Sequence, residues 1–157
     1  MLKGVKISMM FIAGSVDDVY GYEPGVRSIW QAAVNVDWAL LTYENANHNA
    51  GAPMPPPVEG REVDPDLGFA PYDHYADAVW DNVRMNNIAQ HFSTAWLDKY
   101  LKGDADMDAY LSLEPIANDR VWAVEDDGSF KPEHTHWKGF QNRTAKGLRF
   151  EMLPAAE

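Results

Sequence analysis

Met9-Met10-Phe11-Ile12-Ala13-Gly14-Ser15-Val16-Asp17-Asp18 is the stretch on which the fold turns. A short continuous apolar run closed by a glycine predicts a strand covered on both faces, the kind found in mainly parallel sheets. In open α/β sheets the carboxyl ends of the strands form the ligand-binding edge, so the Asp pair after Gly14 falls where chemistry is expected. The residues before the run, Met1-Leu2-Lys3-Gly4-Val5-Lys6, give it the outline of a short signal peptide. Ser8 interrupts the run and it ends in an acidic loop instead of a small-residue cleavage site, which favours the strand.

Glu23-Pro24-Gly25 opens a helical stretch in which Val26, Ile29, Trp30 and Ala33 recur at spacings of three and four, with Pro24 tolerated in the first turn. Trp38-Ala39-Leu40-Leu41-Thr42-Tyr43 then reads as a second buried strand, and it runs into Glu44-Asn45-Ala46-Asn47-His48-Asn49. Together these predict a βαβ unit with two loops leaving neighbouring strand ends. Residues 49–72 are rich in Pro and Gly without periodicity, a segment expected to line a site or to move. The run Pro53-Met54-Pro55-Pro56-Pro57 favours an extended conformation, read as a stiff loop before a partner motif. From His74 to Leu101 an apolar stripe predicts one long helix, with a kink or break open at Arg84-Met85-Asn86-Asn87 and a stop at Lys102-Gly103. Beyond Asp104 the pattern is short and strand-like: Val121-Trp122-Ala123-Val124, a turn at Glu125-Asp126-Asp127-Gly128, and Gly147 to Met152, which together suggest a small terminal hairpin.

Composition narrows the function. The 157 residues suffice for one domain with a real core, and a hydrophobic share of 46% argues for folding over disorder. A net charge of −11 opposes a nucleic-acid partner or an anionic membrane surface, since like charges repel. No apolar run has the length of a membrane span. Cysteine is absent, which removes disulfides, thiolate metal sites and a Cys nucleophile within these residues and leaves the compartment open, with a cytoplasmic location as the working expectation.

Asp17, with Asp18 as the alternative, and His48 lie on the two loops at the predicted strand ends. A carboxylate that accepts the imidazole Nδ1 proton fixes the tautomer and leaves Nε2 to take a proton from a nucleophile. Asp pairs also favour turns, and a loop histidine is commonly a surface polar group, so spacing alone leaves the assignment open. The stretches Phe11 to Tyr22 and Asn45-Ala46-Asn47-His48-Asn49-Ala50-Gly51-Ala52-Pro53 resemble the acid and histidine segments of dienelactone-hydrolase-like α/β-hydrolases. Met85 to Phe92 with Leu101 to Asp104 is similar to their last helix, and Trp137 to Phe140 with Arg143 to Leu148 to the tail of one subgroup.

The resemblance implies an α/β fold, the C-terminal part of an α/β-hydrolase: the last βαβ unit of a mainly parallel sheet and a long helix over residues 1–103, with an extension over 104–157 carrying a small β tail. It implies Asp17 as catalytic acid, three positions after Gly14, and His48 as catalytic histidine. The implied activity is hydrolysis of a small carboxylic ester or lactone by a Ser- or Cys-type enzyme without a cofactor. One departure is large. The family's nucleophile elbow, Gly-x-Ser-x-Gly or its Cys version, does not occur, because Ser15, Ser28, Ser93 and Ser112 lack the flanking glycines. The chain is therefore expected to be inactive alone and to need a nucleophile-bearing N-terminal half or a partner chain along an open strand edge. A non-catalytic half-fold that binds another chain, or one chain of a split hydrolase, is the alternative. His134-Thr135-His136 could supply two metal ligands but no third is placed, and no metal is expected. Asp73-His74 reads as a helix cap with its neighbour, and Asn142-Arg143-Thr144 as a glycosylation acceptor only in a secreted eukaryotic protein.

Overall fold

A computed structural model describes residues 2–32, 35–52, 54, 57–113, 125–127 and 147–156. Strand β1 (Met9–Gly14) pairs in parallel with β2 (Trp38–Tyr43), in register from Met9↔Trp38 to Gly14↔Tyr43. Strand β3 (Leu148–Leu153) pairs antiparallel with the other edge of β2, from Trp38↔Leu153 to Tyr43↔Leu148. The sheet order is β1-β2-β3.

This arrangement corrects the expected fold class. The mainly parallel sheet of a C-terminal α/β-hydrolase part is not what the chain forms; the sheet is small and mixed, with one parallel and one antiparallel pair. The physical reason lies in β2. All six of its residues are buried, so it must be covered on both faces and paired on both edges. The distant tail supplies the second edge from within the chain. The tail strand is thus hydrogen-bonded into the sheet through β2; Val121–Val124, the other strand of the expected terminal hairpin, lie outside the described residues, as do Trp137–Lys146.

Alternation along β2 sends Ala39, Leu41 and Tyr43 to one face and Trp38 and Leu40 to the other. Helix α2 (Asn82–Lys102) covers the first face with Met85, Ile88, Phe92, Ala95 and Trp96. It runs unbroken through Arg84–Asn87, and its start is set by Asp81, whose side chain accepts the Arg84 amide. Asp73 and His74 belong instead to a separate 3₁₀ turn, Pro71–His74. At the far end Gly103 takes φ 73°, a left-handed stop after the basic last turn.

The second face is covered by a tight π-type turn, Tyr22–Arg27, that breaks its helical angles at Gly25 and continues into the short helix α1 (Ser28–Gln31). Tyr22 and Trp30 fill this side. Polar bonds tie it to the tail strand: the Tyr22 hydroxyl meets Thr42 Oγ1 at 2.8 Å and accepts from Arg149 at 2.7 Å, while Arg27 binds Glu151 through two nitrogens at 2.8 and 3.1 Å. The forked geometry suits a guanidinium and a carboxylate. At the opposite end Asp37 accepts from the Tyr100 hydroxyl and the Ala155 amide, joining β2, α2 and the end of β3. Those two bonds hold the Asp37 carboxyl below its ordinary range despite its partial burial. Among the described residues no helix is long and apolar enough to cross a membrane.

Candidate functional site

β1 and β2 end side by side, with Gly14 opposite Tyr43, and the loops that follow are laced together. The Ser15 amide donates to the Tyr43 carbonyl at 2.9 Å, Val16 to the Ala46 carbonyl at 3.0 Å, and the Asn45 amide to Ser15 Oγ at 2.8 Å. Asn45 sits at φ 63°, a left-handed position that asparagine tolerates better than most residues. Gly14 is required for a different reason. A Cβ there would lie 2.2 Å from the carbonyl oxygens of Ala46 and Asn47, so only glycine lets the histidine loop cross the end of β1.

This lacing brings Asp17 to His48, with Asp17 Oδ2 2.9 Å from His48 Nδ1. Asp17 Oδ1 accepts the Val19 and Tyr20 amides at 2.9 and 3.1 Å, an Asx-type turn that holds the carboxylate through contacts separate from the histidine. Burial pushes the Asp17 carboxyl up, but the His48 bond and the two amides outweigh it and hold it below its ordinary value. An ionised carboxylate only accepts, so Nδ1 carries the proton in the neutral imidazole and Nε2 presents a lone pair. The Asp17 side chain is 9% exposed and that of His48 38%, so the carboxylate is the more enclosed member of the pair and the imidazole the more accessible. Asp18 is exposed in the turn that follows, and the carboxylate paired with His48 is that of Asp17. Tyr20 lies edge-on to the His48 ring at 5.1 Å between centroids.

A cavity of about 370 Å3 opens beside the pair. Its wall is Phe11, Ile12 and Ala13 of β1, Val26 and Ile29 of the helical segment, Tyr20 and Gly51, with Asp17 and His48 as the ionisable groups on it. The volume lies within the range of small-molecule sites. Of the described residues of the Pro- and Gly-rich loop, Gly51 lines this wall, in the turn that also carries His48.

Sequence reasoning missed three contributors. The steric demand at Gly14 comes from a loop more than thirty residues away and has no local signature. Tyr20 is inconspicuous among the many aromatic residues. Asp77, which accepts the Asn47 amide at 2.7 Å, sits in a segment read as the beginning of the long helix. Ser15 Oγ is occupied by the Asn45 amide, in keeping with its role in the loop. His134 and His136 lie outside the described residues, and no group of three metal-binding side chains occurs among those described.

No protein-family model, curated protein or solved structure matches the chain. The geometry of the site therefore carries the functional argument.

Proposed function

We propose that the chain supplies the acid and the general base of a carboxylic ester or lactone hydrolase, with the nucleophile coming from outside these 157 residues. The observation that carries this reading is the 2.9 Å Asp17–His48 bond through Nδ1 at the rim of an apolar cavity. Asp17 fixes the tautomer and stabilises the imidazolium; His48 Nε2 takes the proton of a Ser or Cys nucleophile as it attacks the acyl carbon. The same nitrogen then returns the proton to the leaving alcohol and activates the water that releases the acid. The apolar wall, the Asp17 charge and the overall charge of −11 favour an uncharged ester over an anionic one.

Access for the nucleophile is supported by the outer edge of β1, which has no strand paired to it among the described residues. Around that end Val16, Val19 and Tyr20 are exposed, an unusual concentration of apolar surface at a loop tip. The same observation favours the second reading, a non-catalytic module that adds another chain to this edge.

The test uses the form that carries a nucleophile, covalent or assembled, with a neutral 4-nitrophenyl ester as substrate. His48→Ala is expected to lower kcat by about 10³-fold or more, and Asp17→Asn by roughly 10²–10⁴-fold. Turnover unchanged in His48→Ala, with partner binding retained, would reject catalysis in favour of the binding module.

A further inference from the structure

We propose that Asp77 is the positioning residue of the histidine loop, holding the backbone immediately before His48 so that the imidazole meets Asp17. The proposal rests on the acid–base reading of Asp17 and His48, and it concerns how that pair is aimed.

Three long-range hydrogen bonds connect the segment 74–80 to the loop 44–49. Asp77 Oδ2 accepts the Asn47 amide at 2.7 Å, the Asn49 side-chain amide donates to the His74 carbonyl at 2.9 Å, and Trp80 Nε1 donates to the Glu44 carbonyl at 2.8 Å. His48 is thus flanked on each side by a residue that the segment grips. Asn47 begins the 3₁₀ turn His48–Gly51, and its side chain accepts the Asn49 amide, so fixing Asn47 fixes the turn that carries the imidazole.

Asp77 itself is firmly seated. Its Oδ1 accepts the Val79 and Trp80 amides, both at 2.8 Å, and its own amide donates to Asn82 Oδ1 at 3.2 Å. Asn82 is buried at the first turn of α2 and donates to the Tyr75 carbonyl at 2.8 Å. A chain of bonds therefore runs from the long helix through Asp77 to the residue before His48. Only an acid can make all three of the Asp77 side-chain contacts, because both of its oxygens accept and all three partners are N–H donors.

Asp77→Asn separates positioning from folding. One amide oxygen can keep the Val79 and Trp80 amides, while the NH2 group then faces the Asn47 N–H, donor against donor. NMR of the isotopically labelled chain is the readout. In the wild type a downfield His48 Nδ1 proton is expected, together with an Asp17 carboxyl that titrates below 3.8. In Asp77→Asn the Nδ1 proton should be lost to exchange and the Asp17 midpoint should move upward, with the far-UV spectrum unchanged. A folded Asp77→Asn chain that keeps both signals overturns the proposal. Should the variant not fold, amide exchange in the wild type decides: Asn47 protected as well as the β2 amides supports the clasp, and fast exchange at Asn47 overturns it. These signals need no turnover, so a failed esterase assay with an intact Asp77-dependent pair would reject the hydrolase reading and leave the clasp standing.

Discussion

His48 and His91 are the same side chain in opposite settings. His48 stands on a loop at the strand ends, its Nδ1 bound to a carboxylate and its ring accessible. His91 projects from the middle of α2, its Nε2 2.9 Å from the Tyr110 carbonyl, with Phe92 and Tyr110 rings beside it. Burial holds His91 below its ordinary value, against the opposing pull of that carbonyl, so it serves as a neutral packing and hydrogen-bonding group. The difference teaches that chemistry here depends on what faces the ring. A carboxylate that fixes one nitrogen and an open side for the other suit the base of the proposed reading; a carbonyl and aromatic neighbours suit a strut.

If the two regions are separable, a defect in the helix–sheet core should cost stability and leave the pairing of Asp17 with His48 intact in the folded fraction. Phe92 is fully buried and stacked on Phe150 at 4.8 Å between ring centroids. Phe92→Ala is expected to destabilise the chain by about 3–5 kcal/mol, the largest effect considered, through lost burial and the cavity left behind. Urea denaturation measures the cost. Loss of the His48 Nδ1 proton signal at urea concentrations where the variant is still folded would show that the site depends on the core more closely than the geometry implies.

The converse change strikes the site first. Gly14→Ala places a methyl group 2.2 Å from two carbonyl oxygens of the histidine loop, which must move for the chain to accommodate it. A stability loss of roughly 1–3 kcal/mol is expected, with separation of Asp17 from His48 in the folded protein. A variant that keeps the Nδ1 proton would mean that the loop moves as one body with Asp17.

The divide between these regions also explains what the sequence could disclose. Both strands of the parallel pair were legible because Met9–Ala13 is a continuous apolar run and Trp38–Tyr43 one broken only by Thr42, but the expected cover on both faces belongs to β2 alone, since the first four residues of β1 are only half-buried; Gly103 marks the end of α2 by its conformational freedom. Asp17 and His48 stood out because each follows such a strand closely. The antiparallel partner was not legible: Leu148–Leu153 pairs with residues more than a hundred positions earlier, and nothing in its alternation names its neighbour. The start of α2 was misplaced by eight residues because His74 and Tyr75 extend an apolar stripe that the Asp77 turn and Asp81 cap interrupt. Asp77 and Gly14 act on the site across long sequence separations, so their roles exist only in three dimensions.

The smallest expected effect uses protons to tell the two histidines apart. For His91 the folded midpoint lies below the unfolded 6.5, so the unfolded chain takes up its proton first as pH falls. Stability from this residue is complete above 6.5 and declines through the window between 6.5 and the lower folded midpoint. Asp17 contributes in a separate window: its folded midpoint lies below 3.8, so its contribution is present above 3.8 and is lost as pH falls through the folded value. Measured by chemical denaturation between pH 7.5 and 5, His91→Gln should flatten the slope, whereas Asp17→Asn should leave the His91 slope in place. Because protonation of His91 requires only that its contact with the Tyr110 carbonyl be kept or remade, the effect should be on the order of 1 kcal/mol or less. An unchanged slope in His91→Gln would mean that burial of this ring does not govern its proton, and the contrast between base and strut would then rest on the carboxylate alone.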